Sequence, residues 1–524
     1  MRRGRQFLRV SDVFRLPGRF LIAACAVLAV ARADSIDHVS DGDRERPRAV
    51  APDPAAEPAD SVGPVITDPS EDDTSATIGT ETGIEEAQYL EDSILHQDPV
   101  QEAHLRALVD QMVAARLAGI PRPRYIPMTD LAPPKGLLLL KNDSRRGEFP
   151  FSMALGGFMQ LRWLEFARDA TQWTNSAGTT LPVNNIDSFN INRFLLSFTG
   201  HVVDDRLLYF FALFGTSNVG IRSGVVPIGL VGWKFSEAAT LGGGVTIVPG
   251  SREWVDQTAW RLGIDSSMAN TFFRPGYSPG VLAQGSVLDE SLHYRAGLWN
   301  AIDGGSTGVL RRGTSMAWAG NTWWEPLGNF GFGYSDMEHH EDAVIRLGTS
   351  GVYAISYSLP IPGSNPEDTI VRLSDGTPLT LPNALGPGTQ VDRFRYRLAT
   401  VDAGWKWRGI GLNFEYYFRG LDDFTGDGPF NTSSMFDHGG LGYLSWCFVP
   451  RTYEAYARSS AITGPYGTGQ EYGGGLNWYL KKSRQARLTL EALYMNRNPA
   501  QNFLYPYRAG YTGTAIQTQL FVMF

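Results

Sequence analysis

The sequence predicts an all-β fold, an antiparallel transmembrane β-barrel. Three observations predict it. From residue 149 onward, segments of about ten residues alternate apolar and polar side chains. No stretch beyond the first 33 residues approaches the roughly 18 consecutive apolar residues of a membrane-crossing helix. One more alternating segment ends on Phe524. Backbone groups in lipid must pair with one another, so strands can cross it only as a closed barrel.

Ahead of the barrel the chain divides by composition. Residues 1–33 read as a signal peptide: Arg2, Arg3, Arg5, Arg9, Arg15 and Arg19 form a basic start, Phe20 to Val30 an apolar run of 11, and Ala31-Arg32-Ala33 a small-x-small cleavage site. Cys25 after Ile22-Ala23-Ala24 leaves a lipoprotein signal as the rival reading. Residues 34–83 are acidic and Pro-rich, with too little apolar surface to offset chain entropy, and are expected to be disordered. Residues 84–120 are expected to form a periplasmic helix, with Ala103, Ala107, Leu108, Met112, Ala115 and Leu117 on one face and Gly119 and Pro121 at its end. A Pro-rich linker, 121–148, follows.

The net charge of −8 hides an uneven distribution. Residues 1–33 carry +6 and residues 34–100 carry −15, so the remainder is near +1. The barrel is therefore close to neutral, and bulk charge gives no support for nucleic-acid binding. Beyond the signal peptide Cys447 stands alone, so no internal disulfide is expected. Lysine is scarce, with six in the chain.

The strands justify themselves by parity. Phe149, Phe151, Met153, Leu155, Gly157, Met159, Leu161 and Trp163 share one face. The clearest pair lies within 396–419. Ala399, Val401, Ala403, Trp405 and Trp407 take one face, and Thr400, Asp402, Gly404, Lys406 and Arg408 the other. After a turn at Arg408-Gly409, Ile410, Leu412, Phe414, Tyr416 and Phe418 oppose Gly411, Asn413, Glu415, Tyr417 and Arg419. Similar segments occupy 189–199, 206–214, 343–357, 451–461, 471–481, 486–496 and 515–524. Trp323, Trp324, Tyr416, Tyr417, Trp478, Tyr479 and Tyr494 suggest aromatic girdles at the two interfaces. In the last strand Ile516, Thr518, Leu520, Val522 and Phe524 share the lipid-facing parity. A terminal aromatic on such a strand is what the barrel-assembly machinery reads in this protein class.

Several stretches, in order, resemble the phosphate-selective porin O and P family. They are Phe272 to Val281 (FFRPGYSPGV), Tyr294 to Asn300 (YRAGLWN), Gly411 to Arg419 (GLNFEYYFR), the hairpin from His438 to Gly464 around a Val-Pro turn, and Glu471 to Leu480. The resemblance spans about 149–524. It implies 16 strands, a homotrimer, an inserted constriction loop, and passage of small solutes or inorganic anions across the outer membrane. Family members favour phosphate through ladders of Lys and Arg. This chain departs there: four Lys follow residue 149, and Asp265-Ser266-Ser267 lacks the Arg that often follows the Asp.

Parity nominates Asp402, Lys406, Arg408, Glu415 and Arg419 as pore-lining, either as solute contacts or as ion-pair rungs bracing the wall. Arg395 and Arg397 share the lipid-facing parity and are expected beyond the apolar band. The constriction loop is placed at 265–290, with Arg274, Asp289 and Glu290 as its charges. Glu338-His339-His340-Glu341-Asp342 has metal-ligand residue types, but adjacent ligands on one loop rarely close a site. His201, His293 and His438 are isolated and no nucleophile motif occurs, so an enzyme is not expected. No cofactor is implied. The partners expected are outer-membrane lipid, small solutes and the assembly machinery. The competing reading makes the barrel a tether or scaffold for a periplasmic or cell-wall partner.

Overall fold

The computed structural model describes residues 137–142, 150–217, 224–256, 258–303, 316–331, 333–357, 370–501 and 506–524. The expected signal peptide, acidic segment and helix lie outside the described residues.

Sixteen antiparallel strands close on themselves. In chain order they are β1 (Phe151–Arg168), β2 (Ile186–Val202), β3 (Asp204–Thr216), β4 (Gly224–Ser236), β5 (Ala239–Ile247), β6 (Tyr277–Val287), β7 (Leu292–Trp299) and β8 (Ala317–Trp324). There follow β9 (Val344–Tyr357), β10 (Gln390–Trp407), β11 (Ile410–Asp427), β12 (Ser434–Val449), β13 (Tyr453–Gly464), β14 (Gly467–Tyr479), β15 (Ala486–Asn496) and β16 (Gly513–Met523). Each strand pairs with its neighbours in sequence, and β16 closes the ring on β1 from Gly513↔Arg168 to Met523↔Phe158. Phe524 and Gly157 then exchange backbone hydrogen bonds of 3.0 Å in both directions.

The supposed linker contains a strand. Leu137–Asn142 pairs with β1 from Leu137↔Leu155 to Asn142↔Phe151, prolonging the line of β16 below Phe524. Its four consecutive leucines carry no alternation, so parity could not find it.

The wall is inverted relative to a water-soluble core. On β11, Leu412 and Phe414 are 52% and 48% exposed, whereas Asn413 and Glu415 are 1% and 0%. The same inversion runs through β16, where Ile516, Leu520, Val522 and Phe524 face out and Gln517 and Gln519 are buried. Apolar side chains outside and polar ones inside suit lipid around and a polar lumen within.

Two borders mark the apolar band. At the tight-turn end Trp446, Phe448, Tyr453 and Trp478 are all exposed and stack in sequence, with ring centroids 5.8, 6.1 and 6.2 Å apart. At the other end Arg395 and Arg397 both reach Asp422 on the outer surface, and Arg393 reaches Asp423 at 2.9 Å. The span from Arg397 to Trp407, at ~3.4 Å per residue and a tilt of ~40°, covers roughly 25 Å. Of the two aromatic girdles expected, one is therefore seen at the tight-turn end, with fewer of the expected members. Trp324 and Trp478 face out, whereas their neighbours Trp323 and Tyr479, and also Tyr417, are buried inside. Adjacent residues on a strand point to opposite faces, so a Trp-Trp or Tyr-Tyr pair cannot contribute both rings to one girdle.

Candidate functional site: the lumen and its two insertions

The connection between β5 and β6, residues 248–276, folds into the barrel. It contains α1 (Arg252–Val255) and α2 (Met268–Phe273), and every residue of both is buried. The wall grips its backbone carbonyls one after another. Arg487 Nη1 donates to the Arg261 carbonyl at 2.6 Å, Asn477 Nδ2 to Leu262 at 3.1 Å, Arg193 Nη1 to Ile264 at 3.3 Å and Arg458 Nη1 to Asp265 at 2.7 Å. These donors come from β15, β14, β2 and β13, so the loop reaches across the lumen. Its apolar side docks on β11, where Phe273 stacks on Tyr417 at 5.0 Å.

Charged wall residues hold the loop in place. The Glu415 carboxylate accepts from the backbone N–H of Arg252 at 2.7 Å and of Glu253 at 3.1 Å, capping α1 from the wall. Glu253 in turn accepts from Ser267 Oγ and from Tyr443 Oη, each at 2.7 Å. Asp265 accepts from Arg162 at 2.8 Å, Arg193 at 2.6 Å and Asn192 at 3.2 Å. Burial alone would raise the Asp265 carboxyl, but Arg193 and Arg162 outweigh it and hold it below its usual 3.8.

Four of the five nominated pore residues face the lumen as parity requires, and all four are occupied. Glu415 caps α1. Asp402 faces Arg346 at 3.6 Å and Arg252 at 3.9 Å. Lys406 Nζ donates to the Phe330 carbonyl at 3.1 Å. Arg419 pairs with Asp437 at 2.8 Å, donates to the Arg372 carbonyl at 2.6 Å and lies 4.2 Å over the Phe272 ring. Arg408 is a correction: it is exposed in the β10–β11 turn, with φ 46°, and stacks on the outward Trp407. A two-residue turn with positive φ at both positions, Gly409 being at 86°, takes Arg408 out of the wall's alternation.

The inserted loop begins and ends earlier than the 265–290 expected for a constriction loop. Arg274 belongs to it, capping α2 and lying 3.9 Å from the Trp254 ring centroid. Asp289 and Glu290 do not. They sit in the tight β6–β7 turn with φ 51° and 64°, a full strand away from the loop. The FFRPGYSPGV stretch straddles the end of the loop and the start of β6, so it did not mark where the insertion starts. The residues missed were those of 248–264, above all Trp254 and Arg261.

Along this loop, donors outnumber acceptors. Arg261 and Trp254 are each about 94% buried, and Arg261 Nε and Trp254 Nε1 have no protein acceptor among the described residues. Arg274 is partly open and lies within reach of the Arg261 and Arg193 charges. Among the described residues no carboxylate forms an ion pair with Arg261 or Arg274. Of these groups only the Arg274 guanidinium is partly open to the lumen, where it offers donors and positive charge to a passing solute.

A second insertion enters from the opposite end. Six of the seven connections at the tight-turn end are short, but β8 and β9 are joined by residues 325–343. This turn folds inward and buries Phe330, Tyr334, Ser335, Asp336 and Met337. The motif from Glu338 to Asp342 is here, and Glu338 and His340 are engaged. Glu338 pairs with Arg484 at 2.8 Å, and the His340 carbonyl accepts from Arg408 N at 2.7 Å. Among the described residues no group of three or more His, Cys, Asp or Glu is placed to hold a metal ion.

No protein-family model and no curated protein matches the sequence. Solved structures align with the chain at low similarity. Outer-membrane expressed OmpT of Vibrio cholerae is 11% identical with a TM-score of 0.43, over 74% of this chain and 100% of that one. An anion-selective porin from Comamonas acidovorans is 11% identical with a TM-score of 0.45, over 71% and 100%. The outer-membrane channel DcaP of Acinetobacter baumannii is 9% identical with a TM-score of 0.44, over 74% and 100%.

Proposed function

We propose that the chain is an outer-membrane porin, a channel for passive diffusion of small hydrophilic solutes and ions with a preference for anions. The observation that carries the channel reading is the inverted wall around a loop-narrowed polar lumen. The anion preference rests on Arg274, the partly open cation of the inserted loop, which forms no carboxylate ion pair among the described residues and has the buried Arg261 nearby. Kinship with the phosphate-selective porin O and P family, and the trimeric state it implies, belong to the same proposal. Phosphate itself is not the solute proposed. Of the four lysines after residue 149, Lys406 is spent on a carbonyl, and Lys481 and Lys482 lie beyond β14 in a turn. The strip ending at Phe524 is the segment proposed for the assembly machinery.

Bilayer measurements test this reading. Purified protein in planar bilayers should give stepwise conductance, with a reversal potential in a KCl gradient that favours chloride. Arg274→Glu should move that potential towards potassium, because it replaces the partly open cation of the loop. Silent bilayers, or a cation preference in the parent protein, would refute the proposal.

A further inference from the structure

We infer that the re-entrant 325–343 turn is a second constriction, in series with the inserted loop, that sets the pore's size limit from the tight-turn end. The inference rests on the channel reading above.

The wall does not need this length of chain. The β8–β9 ladder runs from Trp318↔Tyr353 to Trp324↔Leu347, and a tight turn beyond it would complete the hairpin. The extra residues instead enter the lumen and are fastened there. Gly409 N donates to Asp336 Oδ2 at 2.7 Å, and His340 Nδ1 meets the other oxygen of that carboxylate. Asn413 Nδ2 donates to the Tyr334 carbonyl at 2.9 Å, and Arg484 binds Glu338. Phe330 lies 4.3 Å below Lys406 Nζ, and Arg252 of the inserted loop stacks on Tyr334 at 4.4 Å.

The wall is also hollowed to receive the turn. A Cβ on Gly404 would lie 2.5 Å from Phe330 Cζ, and one on Gly411 would lie 2.5 Å from the Tyr334 carbonyl oxygen. Both glycines occupy lumen-facing positions of their strands. The two insertions meet: a Cβ on Gly333 would lie 2.3 Å from the Trp260 carbonyl oxygen. A solute passing the inserted loop must therefore also pass Phe330, Tyr334 and Arg484. Two ion pairs tie the turn's buried side, Glu338 with Arg484 and Asp336 with His340. This section filters by size, through the bulk of the turn, while Arg274 on the inserted loop filters by charge.

The test uses the full chain in planar bilayers and in liposome-swelling assays with glucose and maltotriose. One variant replaces 326–343 with a four-residue Gly-Ser linker. A second, Gly411→Ala, drives a methyl group against the Tyr334 carbonyl. Folding of each is read from its heat-modifiable gel mobility. The expected result is a single-channel conductance raised about twofold or more and a larger maltotriose-to-glucose swelling ratio. Unchanged conductance and swelling in a folded variant would overturn the inference. So would loss of folding in both, because the turn would then be a brace of the wall. A parent protein that does not conduct at all would instead sink the channel reading.

Discussion

Asp265 illustrates what a single buried carboxylate does in this lumen. It faces Arg162 and Arg193 at 2.8 and 2.6 Å and is 2% exposed, and its own carbonyl accepts from Arg458. Removing it leaves two buried guanidinium groups without their shared counter-charge. Breaking such a pair on one side costs ~3–5 kcal/mol. Asp265→Ala should therefore lower the unfolding free energy of the refolded barrel by that amount, read from denaturant titrations, while the freed arginines strengthen chloride preference in the reversal potential. A variant with unaltered stability would mean that water in the lumen already screens the cluster. Sequence parity could mark Arg162 and Arg193 as inward-facing, but their common partner is about 70 to 100 residues away along the chain (arginines 162 and 193, aspartate 265). Nothing in local spacing encodes that meeting. The same holds for Glu415 and Arg419, whose parity was legible and whose partners on the loop and on β12 were not.

At the scale of elements, legibility followed the residues that alternate. β10, β11, β15 and β16 alternate outward apolar or small side chains with inward polar ones, with a large apolar residue at most outward positions of the band, and their extent and orientation are legible directly. β5 to β8 are not, because sequences such as ATLGGGVTI and AWAGNTWW put Gly and Ala where the outward apolar residue would stand. The two insertions have no periodicity to reveal them, so 248–264 carries no mark of its own, and the 338–342 motif, read only as discounted metal-ligand types, gives no sign of the Asp336–His340–Gly409 latch. That latch has a pH dependence. Burial raises the Asp336 carboxyl, but hydrogen bonds from His340 and Gly409 prevail and hold it below the ordinary 3.8. The groups facing it are His340 on its own turn and Lys406 on β10, with the Glu338–Arg484 pair alongside. A folded value below the unfolded one means that the anchor is fully present above the ordinary carboxylate range and is lost as pH falls through the depressed value. Conductance should accordingly stay level down to pH ~4 and rise below it. Asp336→Asn should show the raised level already at neutral pH. A rise beginning near neutrality would assign the latch to another group.

For the whole molecule the decisive question is what surrounds the wall, since exposed apolar rows could in principle face water in a badly packed soluble barrel. Depth dependence separates the two. Phe414 is 48% exposed and pairs with Ala403 midway between the Trp407 girdle and the Arg397–Asp422 border. Phe436 is 55% exposed but pairs with Gly420, beside that border. In lipid, an arginine at the middle of the band costs ~2–4 kcal/mol and one near its edge ~0–1 kcal/mol. Phe414→Arg should therefore destabilise refolding into liposomes strongly and Phe436→Arg barely, as read from reversible guanidinium titrations. In water both substitutions would remove exposed apolar surface and neither would be costly. Equal, small effects at the two depths would thus remove lipid from around the wall, and with it the physical reason for the inverted pattern on every strand from β10 to β16.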